Sequence, residues 1–233
     1  MAIYGDSRKN DVKMMKNMKK IMFNDKYGLT DAVLAGRKTM TRRIVTPKQE
    51  KWLRFIDGEP SEWIRHGARF LHGEDIAVAQ NYKDCIGQEY LDYVAEDEVC
   101  KLVMNGHIGC TNKMFVRADL MPHRIRIKNI KVERLQDISD VDCRKEGIIH
   151  VNWRQYLKQD VYDFTPQKYK EHSLWTLPIF EESILDSWAE KKPGEYVAES
   201  AKVAFAVLIF KLMGRKVWEQ NPFVFAYEFE LVK

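Results

Sequence analysis

The chain places two hydroxyls and four cations within eight residues, Gly36-Arg-Lys-Thr-Met-Thr-Arg-Arg43. A threonine hydroxyl becomes a competent nucleophile when a nearby base accepts its proton. A lysine can be that base when desolvation or adjacent cations lower its pKa. Lys38 and Thr41, with Arg37, Arg42 and Arg43 as neighbours, are therefore candidates for acyl-transfer chemistry. The same cations also suit phosphate. Thr39 and Thr41 share a strand face if extended geometry already holds at position 39. The competing reading is an ordinary basic β-edge with solvated side chains. Glu146 is the second candidate. It follows Arg144 and Lys145 in the last turn of a short helix, where the negative end of the macrodipole faces it. A carboxyl group there, set among apolar groups, has its charged form disfavoured and can donate a proton near neutral pH. The alternative is a solvated glutamate carrying a small penalty.

Several elements must position these residues. Leu29 to Gly36 predicts a short helix, with Thr30 as cap, a Leu29–Leu34 staple and Gly36 at the left-handed terminating position. Arg37 to Val45 predicts a strand. Residues 47–72 are mixed, with Trp52 and Trp63 anchoring an irregular or helical segment. Gly73 to Ala79 reads as a turn and a buried strand. Residues 83–112 yield no clear assignment. Arg124 to Leu135 is a strand in which Ile125 and Ile127 are out of phase with Ile130 and Val132, a slip near Lys128-Asn129 that implies a β-bulge. Ile138 to Gly147 is a helix with Ser139 and Asp142 at capping-box spacing. Residues 150–196 hold nine aromatic residues and are expected to form a helical insertion. Glu199 to Met213 is a buried helix closed by Gly214, and Phe223 to Val232 alternates strictly as a final strand. Strands without regular crossover helices argue for an α+β chain built on a small mixed β-barrel with flanking helices, rather than a doubly wound sheet. Residues 1–20 read as a flexible basic leader, and 21–233 as a single domain.

The chain has 233 residues, 45% hydrophobic and 31% charged, which excludes a disordered or low-complexity protein. Its longest apolar run, Val203 to Phe210, falls far short of the ~20 residues that span a bilayer. Without a secretory h-region, a cytoplasmic location is expected. The net charge of +4 conceals an asymmetry: residues 1–54 carry fourteen Lys/Arg against five acids. Lys113 to Arg134 holds seven more against two. Uneven basic charge of this kind favours a polyanionic partner. Cys85, Cys100, Cys110 and Cys143 contain no CxxC pair and are expected to be free thiols. A zinc site from Cys85, Cys100, His107 and Cys110 is conceivable, although its spacing matches no ligand pattern. No cofactor is expected.

Gly36-Arg-Lys-Thr-Met-Thr-Arg42 resembles the GxKxxTxR-type signature of the ASCH domain, in the PUA-like superfamily. Further segments agree in the same order: Gly73-Glu-Asp-Ile-Ala-Val78, Phe115 to Arg124, Val132 to Ser139 with Asp142 to Ile148, and Trp218 to Glu230. These are similar to the larger phage and Bacteroides-type members. Where those relatives commonly carry V-R-E after the Gly-Asp strand, this chain has Val78-Ala79-Gln80. The resemblance implies a PUA-like β-barrel with a cleft beside the first helix, and association with RNA or modified bases. In small members that deacylate N4-acetylcytidine, the signature lysine acts as base, the second threonine as nucleophile and a later glutamate as proton donor. These correspond here to Lys38, Thr41 and Glu146.

Three functions are therefore expected, in order. The first is binding of RNA or a modified nucleoside or nucleotide in a basic cleft formed by Arg37, Thr39, Arg42, Arg43, Arg124 and Arg126, with Lys38 also on phosphate. Trp52, Trp63 or Tyr82 would stack on a base. The second is an N4-acylcytidine-type amidohydrolase using Lys38, Thr41 and Glu146. The third is a protein-interaction module presenting the 150–196 insertion.

Overall fold

The computed structural model describes residues 18–56, 59–85, 98–151, 174–176, 197–198 and 200–232. In chain order its first half contains β1 (Lys20–Ile21), α1 (Leu29–Leu34), β2 (Met40–Ile44), α2 (Pro47–Ile56), α3 (Pro60–Gly67) and β3 (Asp75–Val78). Helices α4 (Tyr82–Cys85) and α5 (Glu98–Met104) precede the long strand β4 (Arg124–Arg134), which α6 (Asp140–Lys145) follows. Three short strands come next: β5 (Ile149–Val151), β6 (Leu174–Thr176) and β7 (Val197–Ala198). The chain closes with α7 (Ala201–Met213), α8 (Arg215–Gln220) and β8 (Phe223–Val232).

Five strands form one mixed sheet in the order β1-β3-β4-β8-β2. Only the β1–β3 pairing is parallel; the other three are antiparallel. The closed barrel expected from the sequence is not formed among the described residues. β1 and β2 are the two edges of an open sheet, and β1 is only two residues long, too short to complete a ladder. The Arg43 side chain crosses between the edges instead, donating from Nη2 to the Met22 carbonyl at 2.8 Å. A second sheet pairs β5, β6 and β7.

Register explains which residues meet. β8 lies between β4 and β2 and is buried from Val224 to Tyr227, as a central strand should be. The register of β4 against β8 shifts between Ile127 and Asn129, where the bulge was expected. Beyond the shift Ile130 lies opposite Tyr227 and Val132 opposite Phe225, while before it Ile125 lies opposite Leu231 and Ile127 opposite Phe229. One extra residue thus returns all four apolar side chains to the same face. The Asn129 side chain also accepts the Ile130 N–H at 2.9 Å. On that face Phe70 meets Tyr227 edge-on at 5.3 Å and Trp63 meets Phe223 at 5.0 Å, so α3 and the following loop cover it. Arg42, on the opposite face, lies 5.8 Å from the Phe205 ring, and Lys145 pairs with Glu228 at 2.6 Å, so α6 and α7 cover the other side.

Local signals set the element ends. Gly36 adopts φ +71° after α1, and the Ser139 hydroxyl accepts the Asp142 N–H at 3.1 Å to cap α6. Thr30 is not the cap of α1. Gly28 holds that position at φ +60°, and the Thr30 hydroxyl instead donates to Asp25 Oδ1 at 2.5 Å, a choice that ties the helix to the preceding turn. Lys20, the last residue of the expected leader, belongs to β1; residues 1–17 of that leader lie outside the described residues. Most of the expected helical insertion also lies outside them. Its described residues are strand instead: His150 and Val151 close β5, and Leu174–Thr176 is held between β5 and β7, where a partner ladder on each side satisfies its backbone. Among the described residues no helix is long and apolar enough to cross a membrane.

Candidate ligand site on the two faces of β2

β2 presents different chemistry on each face. Cross-strand partners share a face in an antiparallel pair. Met40, Arg42 and Ile44 lie opposite Glu228, Ala226 and Val224, and Thr41 and Arg43 lie opposite Tyr227 and Phe225. Alternation therefore sends the two adjacent arginines of the motif into separate environments.

On the Arg42 face, the helix cap at Ser139 sets the start of α6, and the helix then delivers Asp142 and Glu146 over the strand. Arg42 donates from Nη1 to Glu146 Oε1 at 2.9 Å, and from Nε and Nη2 to Glu133 Oε1 at 2.9 and 2.6 Å. Its Nη2 also lies 3.3 Å from Asp142 Oδ2. Lys38 donates to Glu146 Oε2 at 2.5 Å and to the Glu146 carbonyl at 2.9 Å. Lys38, Arg42, Asp142 and Glu146 are all buried, Lys38 and Glu146 to 2% and 4% exposure. Buried charges are tolerated when paired and hydrogen-bonded, and here each ion has at least one opposite partner. Burial pushes the Lys38 ammonium below its ordinary value, and Glu146 opposes that shift. Backbone bonds lock the approach: Lys38 N–H donates to the Ala32 carbonyl and Thr39 N–H to the Lys145 carbonyl, both at 2.8 Å. Cys143 beside the cluster is pushed up to about 12, by burial above all, so its thiol stays protonated.

On the other face lies a cavity of about 270 Å³. It occupies the gap between the sheet edges and is lined by Lys20, Ile21 and Met22 from the β1 side and by Arg43 and Ile44 from β2. Arg69, Phe70, Phe225 and Tyr227 form its aromatic and cationic wall, and Gln49 and Gly67 its rim. None of the described lining residues is a carboxylate. Arg43 is held below its usual value, first by burial and also by repulsion from Arg69, with Glu146 acting in the opposite sense. The Tyr227 hydroxyl accepts the Arg69 N–H at 2.9 Å and so fixes the loop that carries Arg69. Gln49 donates to the Gly67 carbonyl at 2.8 Å, joining α2 to α3 at the rim. The Lys20 ammonium donates to the carbonyls of Met114 and Val116 at 2.6 and 2.5 Å, leaving its stem on the wall.

The structure thus joins Lys38, Arg42 and Glu146 by hydrogen bonds and turns Arg43 to the cavity, where it shares the Phe23 ring with Lys38, each 5.9 Å from its centre, and still feels Glu146. Thr41 is buried on the cavity side of β2 and makes no side-chain hydrogen bond among the described residues, but it is not a lining residue. Thr39 is partly buried and Arg37 exposed. Arg124 and Arg126 sit on β4 near β3, away from the cavity lining, and Arg126 is paired with Asp75 at 2.7 Å. Trp63 and Tyr82 are fully buried packing aromatics; Trp52 is half exposed. Among the described residues no three metal-binding side chains come together, and Cys85, Cys100 and Cys110 form no disulfide, so the conceivable zinc set is not assembled. Arg69, Phe70 and Tyr227 escape sequence reading. The first two lie in a segment without a motif, and Tyr227 looks like any alternating strand residue. A lone phenol among the inward positions of an otherwise apolar strand is the one signal that marks it. Comparison with family models, with curated proteins and with solved structures finds no match to this chain.

Proposed function

We propose that the chain binds a nucleotide unit of RNA or a modified nucleotide in the cavity between β1 and β2. The observation that carries this reading is a pocket that places Arg43 and Arg69 among aromatic rings with no carboxylate among its described lining residues; the two guanidinium groups repel one another, while Glu146, outside the lining, acts on Arg43 more strongly in the opposite sense. An anion relieves that repulsion, and a planar base suits walls made by Phe70, Phe225 and Tyr227. At about 270 Å³ the cavity is just below the range of drug-sized sites, so it takes one nucleotide unit at most. The resemblance to ASCH and PUA-like proteins supports the same class of ligand, and their barrel would correspond to this sheet with its edge gap closed. The test is calorimetric titration with UMP, uridine and inorganic phosphate. UMP should bind more tightly than either fragment, with affinity falling as salt rises, and Arg43→Ala with Arg69→Ala should abolish binding. Equal affinity in that double variant would refute the reading.

A second reading, amide hydrolysis of an N4-acylated cytidine, is favoured by one specific observation, the buried contact of Lys38 with Glu146. A lysine with a lowered pKa can accept a hydroxyl proton and a protonated glutamate can return one to the departing amine, but Thr41 lies on the cavity side of β2 and not beside Lys38, so β2 would have to shift to bring them together. Against immediate readiness, the pair is an ammonium and a carboxylate, so the shared proton would have to pass from Lys38 to Glu146 before Lys38 acts as base and Glu146 as acid. Release of acetate from N4-acetylcytidine that stops in Thr41→Ala supports this chemistry; release that survives the substitution excludes Thr41 as nucleophile.

A further inference from the structure

We propose that the ligand is a single-stranded nucleic acid rather than a free nucleotide, and that the solvent face of α2 is the second half of its binding surface; this rests on the nucleotide reading of the cavity. Helix α2 supplies Gln49 to the cavity rim, so its surface is continuous with the pocket. One turn along, Trp52 is 49% exposed and Phe55 is 87% exposed. Residues three and four apart are neighbours on a helix, which places Lys48 and Lys51 between and beside these two rings. Both lysines are exposed and form no ion pair among the described residues. The acid of this helix, Glu50, is already paired with Arg54 at 3.0 Å. Across the rim, His66 meets Trp52 edge-on at 6.5 Å and holds the indole on α3. Two large exposed rings interleaved with exposed ammonium groups suit a single strand, in which bases stack on rings and phosphates lie beside cations. An acidic protein segment would use the lysines but leave the rings without planar partners.

The experiment uses the full chain, fluorescein-labelled octauridylate followed by anisotropy, and UMP followed by calorimetry. Trp52→Ala with Phe55→Ala removes two stacking rings and should weaken octauridylate binding roughly thirtyfold or more, and leave UMP unchanged. Both positions are solvent-exposed and alanine favours helix, so the variant keeps the fold, which circular dichroism checks. Lys48→Ala with Lys51→Ala should make the slope of log affinity against log salt shallower by about 1.4 for the oligomer. Unchanged octauridylate affinity and slope in these variants, with binding still lost in Arg43→Ala, would overturn this inference and leave the cavity reading standing. No response of either ligand to Arg43→Ala would overturn both. Binding of vesicles containing phosphatidylserine through Trp52 and Phe55, without binding of octauridylate, would also overturn it.

Discussion

Glu146→Leu removes the one carboxylate that holds Lys38 and also contacts Arg42. The structure ranks the outcome of each change. Glu146 receives hydrogen bonds from both Lys38 and Arg42, whereas Arg42 keeps Glu133 when Glu146 is lost. Among the described residues the Lys38 ammonium bonds only to Glu146, through its carboxylate and its carbonyl. Glu146→Leu therefore leaves a fully buried ammonium with a backbone carbonyl but no counter-ion, and should cost about 3–5 kcal/mol. Lys38→Met leaves Glu146 paired with Arg42 and should cost less, about 1–3 kcal/mol. The double variant should be more stable than the sum of the singles implies, because neither charge is left alone. The pH dependence has a defined sign. With Lys38 below its ordinary 10.5, the folded chain binds fewer protons than the unfolded chain between the lowered value and 10.5, so its contribution to stability rises with pH across that window. Without Glu146 to oppose burial the window extends further down, and the deficit of Glu146→Leu should shrink as pH rises. Urea unfolding at several pH values measures all of this. A Glu146→Leu deficit below about 1 kcal/mol, the range of solvent-exposed pairs, would refute the reasoning. A larger cost for Lys38→Met than for Glu146→Leu would refute it equally.

Ser139→Ala should cost about 1 kcal/mol in urea unfolding through loss of the α6 cap, and should weaken the Arg42 cluster because α6 carries Asp142 and ends at Glu146. Deleting Asn129 should abolish cooperative unfolding. It forces either Ile125 and Ile127 or Ile130 and Val132 off the core face, and near-native calorimetric unfolding would contradict the register. Ile125→Ala, fully buried on β4, should cost about 2–5 kcal/mol by the same measurement.

The β-bulge was legible because a single phase slip in Ile125, Ile127, Ile130 and Val132 is a period-2 pattern with one residue inserted. The cap at Ser139 and the turn at Gly36 were legible for a similar reason, since local chemistry alone decides them. The Lys38–Glu146 contact spans more than a hundred residues, and its anticipation rested on the family resemblance rather than on any local pattern. Barrel closure was not legible: whether two edge strands pair depends on the length of β1 and on what fills the gap, and neither is encoded in alternation. The separation of Arg42 from Arg43 follows from strand parity once β2 is known to pair with β8. Without that partner, both arginines read as one basic cluster. Arg69 and Tyr227 come together only through the fold of the loop after α3, so the cavity itself had no sequence pattern to reveal it.

The crystal structure of the protein soaked with UMP tests the central claim most directly. The phosphate should lie within hydrogen-bond distance of the Arg43 and Arg69 guanidinium groups, with the base against Phe70 or Tyr227. A nucleotide found elsewhere on the surface, with the cavity between β1 and β2 unchanged, would contradict the account.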